Sequence, residues 1–335
     1  MKNSEYFTYI YRSNLCGFSI RKVMHTVEKV IAEKYPIKSF YLPCKGAGLL
    51  DVFRNCYYVF KLIKSNSLLY HITGDVHYLT YILPRKKTII TVHDIMYYNY
   101  LKGLKKKIWK LLYIQSLKKA GAVIFISSAA RKQVEEIIDL PKDKVSIIPN
   151  PVSEDFFFSQ KTFSAVDPVI LHIGTLERKN LLRVIEAIEG IPCHLRIIGE
   201  LDKMQKEYLE KYKVNYSNGV NLTDQDILLE YLRCDIVSFP SLYEGFGMPI
   251  IEGQAVGRPV LTSNWEPMKT VAGENGAYLV DPESVRSIRE GFLSIINDVE
   301  MRKQLITNGI KNSNKYQAEA VAKEYELVYK KVLIQ

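Results

Sequence analysis

At 335 residues the chain is about twice the length of one ordinary domain, so two domains, each with its own core, are expected. An apolar fraction of 47% and a charged fraction of 24% exclude a disordered or fibrous chain. The net charge of +10 is unevenly spread: residues 1–150 hold 25 Lys and Arg against 10 Asp and Glu, a balance of +15, and the remainder holds 21 against 26, a balance of −5. The basic half calls for an anionic counterpart, whether nucleic acid, an anionic membrane surface or a pyrophosphate-bearing substrate, with a basic half that has no dedicated partner as the plain alternative. Cys16, Cys44, Cys56, Cys193 and Cys234 are scattered without a Cys-x-x-Cys spacing, which argues against a disulfide framework or zinc site and fits a reducing, cytoplasmic compartment. The opening MKNSEYFTYIYRSN has no leader-like apolar core, and no later stretch approaches the roughly 20 apolar residues of a membrane span.

In chain order, the first half alternates apolar runs (FTYIY, KSFYL, SLLYHI, KTIITV, AVIFI, VSIIP) with helical patterns near residues 20–32 and 49–64. This is the pattern of a parallel α/β sheet. After the Pro149-Asn150-Pro151 turn the run PVSEDFFFSQKTFSAVDP lacks periodicity and reads as a connector. The second half restarts the pattern with PVILHIG, HLRIIG, DIVSFP and RPVLTS as strands, and with helices over residues 181–188 and 224–233. AEAVAKEYELVYKKVL closes the chain with the spacing of a terminal helix. The fold class is therefore α/β, two doubly wound domains: an N-terminal domain over 1–155, a linker over 156–166, a C-terminal domain over 167–316 and a last helix over 317–335 that packs back towards the first domain. Ligands of such sheets bind beyond the carboxyl ends of the strands, and the chemistry-bearing residues sit there: His93-Asp94 after KTIITV, Gly174 after VILHI, Gly199 after HLRII and Glu244 after DIVSFPS.

The strongest signal is DIVSFPSLYEGFGMPIIEGQAVGRPV, in which a strand, a glycine-broken loop and a helix start surround Glu244 and Glu252, eight positions apart. Gly245 and Gly247 let a ligand approach the backbone, and Pro249 suits a first helical turn. Backbone N–H groups there favour phosphate or sugar oxygens, while a carboxylate accepts two hydroxyl protons, as a ribose diol or neighbouring sugar hydroxyls require. Glu252 acting only on the helix dipole is the bland alternative.

This run resembles the E-x7-E signature of the retaining glycosyltransferase family four, whose fold is GT-B, two facing Rossmann-like domains. HIGTLERKN (172–180) is similar to that family's diphosphate-binding loop, though without its usual Pro before Arg-Lys. TVHDIMYY, AVIFISSAARKQV and VSIIPNPVSEDFF are similar to its histidine loop, a later strand and helix, and its interdomain lead-in, so the likeness spans nearly the whole chain. The resemblance implies a hexosyltransferase that uses a nucleotide sugar and retains anomeric configuration without a metal or other cofactor. It assigns Arg178 and Lys179 to the donor diphosphate, Glu244 to hydroxyls of the transferred sugar, Glu252 to the ribose, and His93 to the sugar side. Gly17, Gly174, Gly245, Phe246, Gly247 and Met248 complete the donor contacts, although Ser19 stands where a second glycine is usual beside Gly17. GDP- or UDP-sugar is the expected donor, GDP-mannose slightly favoured, and the acceptor is a glycan or lipid-linked glycan of surface polysaccharide. No side-chain nucleophile stands out.

Asp224-Gln225-Asp226 formally fits an Asp-x-Asp metal motif, but Thr223 and Asp226 read as a helix capping box. From Lys102 to Lys119, seven lysines alternate with Leu, Ile and Trp109, the composition of a basic amphipathic helix lying on anionic lipid, or of a covering helix with solvated lysines. The expected location is thus cytoplasmic, peripheral on the inner face of the membrane. No nucleic-acid module is recognisable. A nucleotide-sugar epimerase or hydrolase, and a non-catalytic nucleotide-sugar or lipid binder, are the alternative functions.

Overall fold

The computed structural model describes residues 5–17, 19–46, 48–63 and 66–334. The first four residues, Phe18 beside the glycine loop, and Lys64, the expected end of the second helix, lie outside them. Two compact units divide the chain: residues 1–151 with 318–335, and residues 152–317.

In the first unit, strands β1 (Tyr6–Tyr11), β2 (Ile37–Tyr41), β3 (Ser67–Ile72), β4 (Thr88–Val92), β5 (Ala122–Phe125) and β6 (Val145–Ile147) form one parallel sheet in the order β2-β1-β3-β4-β5-β6. Helices α1 (Ser19–Ala32), α2 (Leu49–Leu62), α3 (Met96–Tyr100), α4 (Gly103–Trp109) and α5 (Ser128–Glu135) connect them. β1, β4 and β5 are buried throughout, as parallel strands covered on both faces must be. One face packs Ile10, Ile72 and Val92 against Val52 and Val59 of α2 and Trp109 of α4.

In the second unit, β7 (Val169–Ile173), β8 (His194–Ile198), β9 (Tyr216–Gly219), β10 (Ile236–Phe239), β11 (Val260–Ser263) and β12 (Tyr278–Val280) form a parallel sheet in the order β12-β11-β10-β7-β8-β9. Its helices are α6 (Leu181–Ala187), α7 (Lys203–Lys211), α8 (Asp224–Arg233), α9 (Met248–Ala255), α10 (Met268–Ala272), α11 (Val285–Asn297) and α12 (Val299–Ser313). Asp202 and Thr223 close capping boxes on α7 and α8, so Asp226 is engaged with Thr223. Residues 152–168 contain no helix or strand but are tied down: Phe156 packs edge-on against Tyr231, and Arg258 donates to the Ser159 carbonyl at 2.8 Å.

The last helix, α13 (Ala318–Ile334), returns to the first unit and covers the second face of its sheet. Val321, Ala322, Tyr325, Tyr329 and Val332 join Phe7, Tyr9, Leu69 and Ile124 in that core. Burying such side chains stabilises by roughly 2 kcal/mol each. Their polar ends form a relay: Tyr329 Oη meets Tyr9 Oη at 2.6 Å and His71 Nδ1 at 2.7 Å, and His71 Nε2 meets Thr91 Oγ1 at 2.8 Å. The helix is therefore fixed in register as well as by apolar area.

The segment from Lys102 to Lys119 differs from the single amphipathic helix its composition suggests. It is α4, then a π turn over Lys110–Ile114, then a 3-10 turn over Gln115–Lys119. Side chains of residues 77–81 account for the break by taking its carbonyls: His77 Nδ1 donates to Tyr113 O at 2.6 Å, Thr80 Oγ1 to Ser116 O at 2.7 Å and Tyr81 Oη to Leu111 O at 2.7 Å. Carbonyls captured in this way disrupt the regular i to i+4 ladder.

Candidate active site

The second sheet has the connectivity of a dinucleotide-binding fold, and its order reverses between β7 and β10. Ligands of such sheets sit beyond the strand ends at that reversal. From β7 the chain passes Gly174, a 3-10 turn over Glu177–Lys179 and Asn180 before entering α6; from β10 it runs through residues 240–247 into α9. Leu242 N–H donates to Arg178 O at 2.8 Å, and buried Asn180 Nδ2 donates to Pro240 O at 2.9 Å and Pro282 O at 2.6 Å. Asn180 has a left-handed backbone, φ 66°, which Asn tolerates better than most residues. It closes the HIGTLERKN motif, but its bridging role is not legible in the sequence because that role depends on carbonyls 60 and 102 positions away.

Glu244 closes the gap between the two loops. Its Oε2 lies 2.6 Å from Arg178 Nη1 and its Oε1 2.7 Å from Lys179 Nζ. Lys179 also stands 4.4 Å above the Phe239 ring. Burial lowers the Lys179 pKa, the Glu244 carboxylate opposes that, and Arg178 adds to the lowering. Two cations facing one carboxylate leave an excess of positive charge, and Arg178 Nε is buried with no hydrogen-bond partner. This cluster is suited to an arriving anion. Gly174 makes room for it: its φ is +97°, and a Cβ there would lie 2.9 Å from Lys179 Cγ. Beneath, His172 is buried, meets Ser238 Oγ at 3.4 Å and is held neutral, its pKa pushed down to about 3 by burial and then by Lys179.

Glu252 is the fifth residue of α9, and its Oε2 accepts from buried Tyr231 at 2.6 Å. Tyr231 belongs to α8, twenty-one positions earlier, with no local signal to reveal the pairing. Gly247, φ +120°, turns the chain into α9; Phe246 is buried edge-on against Tyr316, while Gly245 and Met248 are half-buried beside it. Gln254 anchors the helix by donating to Ala272 O and Gly276 O and accepting from Asn312.

His93 and Gly17 lie in the first unit, at the carboxyl ends of its strands. The Thr73 carbonyl lies 3.0 Å from His93 Nε2, which must carry the proton because a carbonyl only accepts. Burial lowers the His93 pKa to about 4, leaving the ring neutral with Nδ1 unprotonated. Gly17 O accepts from Arg12, which also pairs with Asp75 at 2.9 Å. A cavity of about 260 Å³ opens beside them, lined by Arg12, Lys45, Asp75, Tyr97 and Trp109. In the second unit a cavity of about 330 Å³ lies at Asp167, Pro192 and Asn215, before β7, β8 and β9 and at the opposite strand ends from Arg178 and Glu244. Among the described residues no group of three or more His, Cys, Asp or Glu side chains could hold a metal ion, and no helix is long and apolar enough to cross a membrane.

Two six-stranded parallel sheets of this kind define the GT-B class of glycosyltransferase folds. Sucrose-phosphate synthase from Thermosynechococcus elongatus is similar with a TM-score of 0.81 over 99% of this chain and 100% of its own, at 16% identity. Residues 30–156 match Glycosyltransferase Family 4, and residues 153–312 match Glycosyl transferases group 1. The chain belongs to glycosyltransferase family 4. Among curated relatives, the serotype-specific mannosyltransferase WbdA of Escherichia coli is 28% identical over 69% of this chain, a stretch equal to 32% of WbdA, so the chain spans about a third of that relative. O-antigen chain mannosyltransferase B of Escherichia coli is 27% identical over 75% of this chain and 71% of its own length.

Proposed function

We propose that this chain is a retaining hexosyltransferase that moves a sugar from a GDP- or UDP-sugar, GDP-mannose favoured, to an acceptor hydroxyl in surface polysaccharide or lipid-linked glycan assembly. The observation that carries the reading is the clamp of Arg178 and Lys179 on Glu244 at the sheet's switch point. The named activities of the mannosyltransferase relatives support the sugar and the setting.

As the glycosidic bond breaks, negative charge grows on the departing diphosphate, and fixed cations at Arg178 and Lys179 stabilise that charge more than the ground state. Arg178 offers a planar fork and Lys179 a point charge. Metal-independent departure follows from that division. Glu244 takes hydroxyls of the transferred sugar. Glu252, whose Oε2 accepts from Tyr231, is assigned to the ribose. Gly174, Gly245, Phe246, Gly247 and Met248 shape the donor contacts around these groups. In the first unit His93 is assigned to the sugar and Gly17 to the donor phosphates. The leaving phosphate assists removal of the acceptor proton, so attack and departure share one sugar face. The lysines from Lys102 to Lys119 are assigned to an anionic membrane surface, which places the enzyme peripherally on the cytoplasmic side.

A thermal-shift panel of GDP, UDP, ADP and their sugars tests the donor. A ligand at 100 times its Kd stabilises by about 2.7 kcal/mol. If no member moves the transition at millimolar concentration, the donor assignment fails. Glu252→Ala is expected to weaken nucleotide binding and Glu244→Ala chiefly to slow transfer; equal loss of both properties in both variants contradicts the division of roles. Donor conversion without acceptor would instead mark an epimerase or hydrolase.

A further inference from the structure

Helix α2 carries apolar side chains on two faces. Val52 and Val59 point into the core. Leu49, Leu50, Phe53, Tyr57 and Phe60 are 55–75% exposed. At the helical repeat these five fall within an arc of about 100°, so they form a stripe rather than scattered exceptions. A helix apolar on both sides is normally enclosed, and contiguous exposed apolar surface marks an interaction site. The stripe is bordered by exposed Arg54 and by Lys61, whose ammonium lies 4.4 Å over the Tyr57 ring.

A second exposed apolar set, Tyr97, Tyr100, Leu104 and Leu111, lies on α3, α4 and the π turn among the lysines already noted. Val52 and Val59 of α2 and Trp109 of α4 belong to one core cluster, so both elements cover the same face of the first sheet. The 260 Å³ cavity lies between them, lined at one side by Lys45 and Gly46, which precede α2, and at the other by Tyr97 and Trp109.

We propose that α2 and the α3–α4 segment form one docking face for an anionic lipid bilayer, with the exposed arc of α2 as its apolar anchor. This rests on the reading of the lysine segment as a bilayer contact and adds the element that inserts. Charge decides the occupant. The +15 balance of residues 1–150 and the Arg54, Lys61 and Lys105 border complement acidic headgroups, whereas a second copy would bring the same basic border against itself. Docked this way, the cavity mouth faces the interface from which a lipid-linked acceptor would arrive.

The test is co-sedimentation of the full chain with phosphatidylethanolamine vesicles containing about 30% phosphatidylglycerol, against pure phosphatidylcholine. Wild type is expected to bind the anionic vesicles selectively. Phe53→Ser with Phe60→Ser should lower the partition about tenfold or more, the loss of two inserted rings. Lys105→Ser with Lys107→Ser should weaken binding most at low salt. These exposed positions leave the core intact, which melting curves verify, and nucleotide binding by the second unit reports separately on the transferase reading. If the Phe double variant binds vesicles like wild type while the Lys variant does not, the α2 anchor is wrong and the basic-segment reading survives. If wild type ignores anionic vesicles, both fail. Concentration-dependent dimers that the Phe variant abolishes, seen by sedimentation velocity without vesicle binding, would reassign the face to self-association.

Discussion

Glu244 is the side chain on which the candidate site turns, because in the free protein it occupies the two cations proposed to take the donor diphosphate. A ligand phosphate and this carboxylate compete for the same N–H groups. Glu244→Gln should therefore slow transfer while tightening free GDP or UDP, measured by titration calorimetry. Without ligand the variant leaves Lys179 buried beside Arg178 with only the weaker influence of the Glu252 carboxylate to oppose it, at a cost of about 1–2 kcal/mol after allowance for partial exposure. Its melting temperature should fall, and the deficit should shrink at saturating nucleotide. Weaker nucleotide binding by Glu244→Gln would contradict the competition. The eight-residue spacing of Glu244 and Glu252 and the Arg178-Lys179 pair were readable in the sequence because they are local. Tyr231 on Glu252 and Asn180 across two loops were not, since each depends on how separate elements are brought together.

At the level of elements, α9 positions Glu252 only if it lies close on the sheet. Gly253 allows that approach: a Cβ there would sit 2.9 Å from Val237 Cγ2 and 3.0 Å from Val260 Cγ2. Gly253→Ala gains about 1 kcal/mol of helix propensity but meets an overpacking cost of about 1–3 kcal/mol. The expected net result is a lower melting temperature together with a raised nucleotide Kd, as α9 moves off the sheet and carries Glu252 with it. A more stable variant with unchanged Kd would show that α9 is not so constrained. The apolar runs revealed most strands in chain order. β9 escaped because YSNG is polar and exposed at a sheet edge, and β12 because YLV offers only three residues. The lysine-rich segment kept its helical character but not its continuity, since the residues that divert its carbonyls lie some thirty positions earlier.

Across the whole molecule, buried histidines set the response to acid. His71 and His172 are held near pKa 3 and His93 near 4, in each case chiefly by burial, against 6.5 when unfolded. His77 is lowered for the same reason. The unfolded chain binds these protons first, so stability is full above about pH 6.5 and declines as pH falls towards the folded values, each such histidine contributing a slope of up to about 1.4 kcal/mol per pH unit. Glu326 has its pKa lowered to about 2 by Lys330, Lys34 and Tyr35, and adds its own loss only below its ordinary value of 4.5. Melting temperature measured from pH 8 to pH 4 should begin to drop near pH 6.5. A flat profile down to pH 5 would mean that these rings are not kept neutral by the fold. The sequence by itself determined the α/β alternation, the charge asymmetry and the spacing of Glu244, Glu252, Arg178 and Lys179, because hydrophobic period, net charge and short-range motifs are properties of neighbouring residues. Only the tertiary structure decided that Glu244 bridges both cations, that Tyr231 takes one oxygen of Glu252, that α13 closes the first sheet through the Tyr9–Tyr329–His71 relay, and that α2 turns a second apolar face outward. These features depend on which distant side chains and surfaces meet when the elements pack, and local pattern does not specify that.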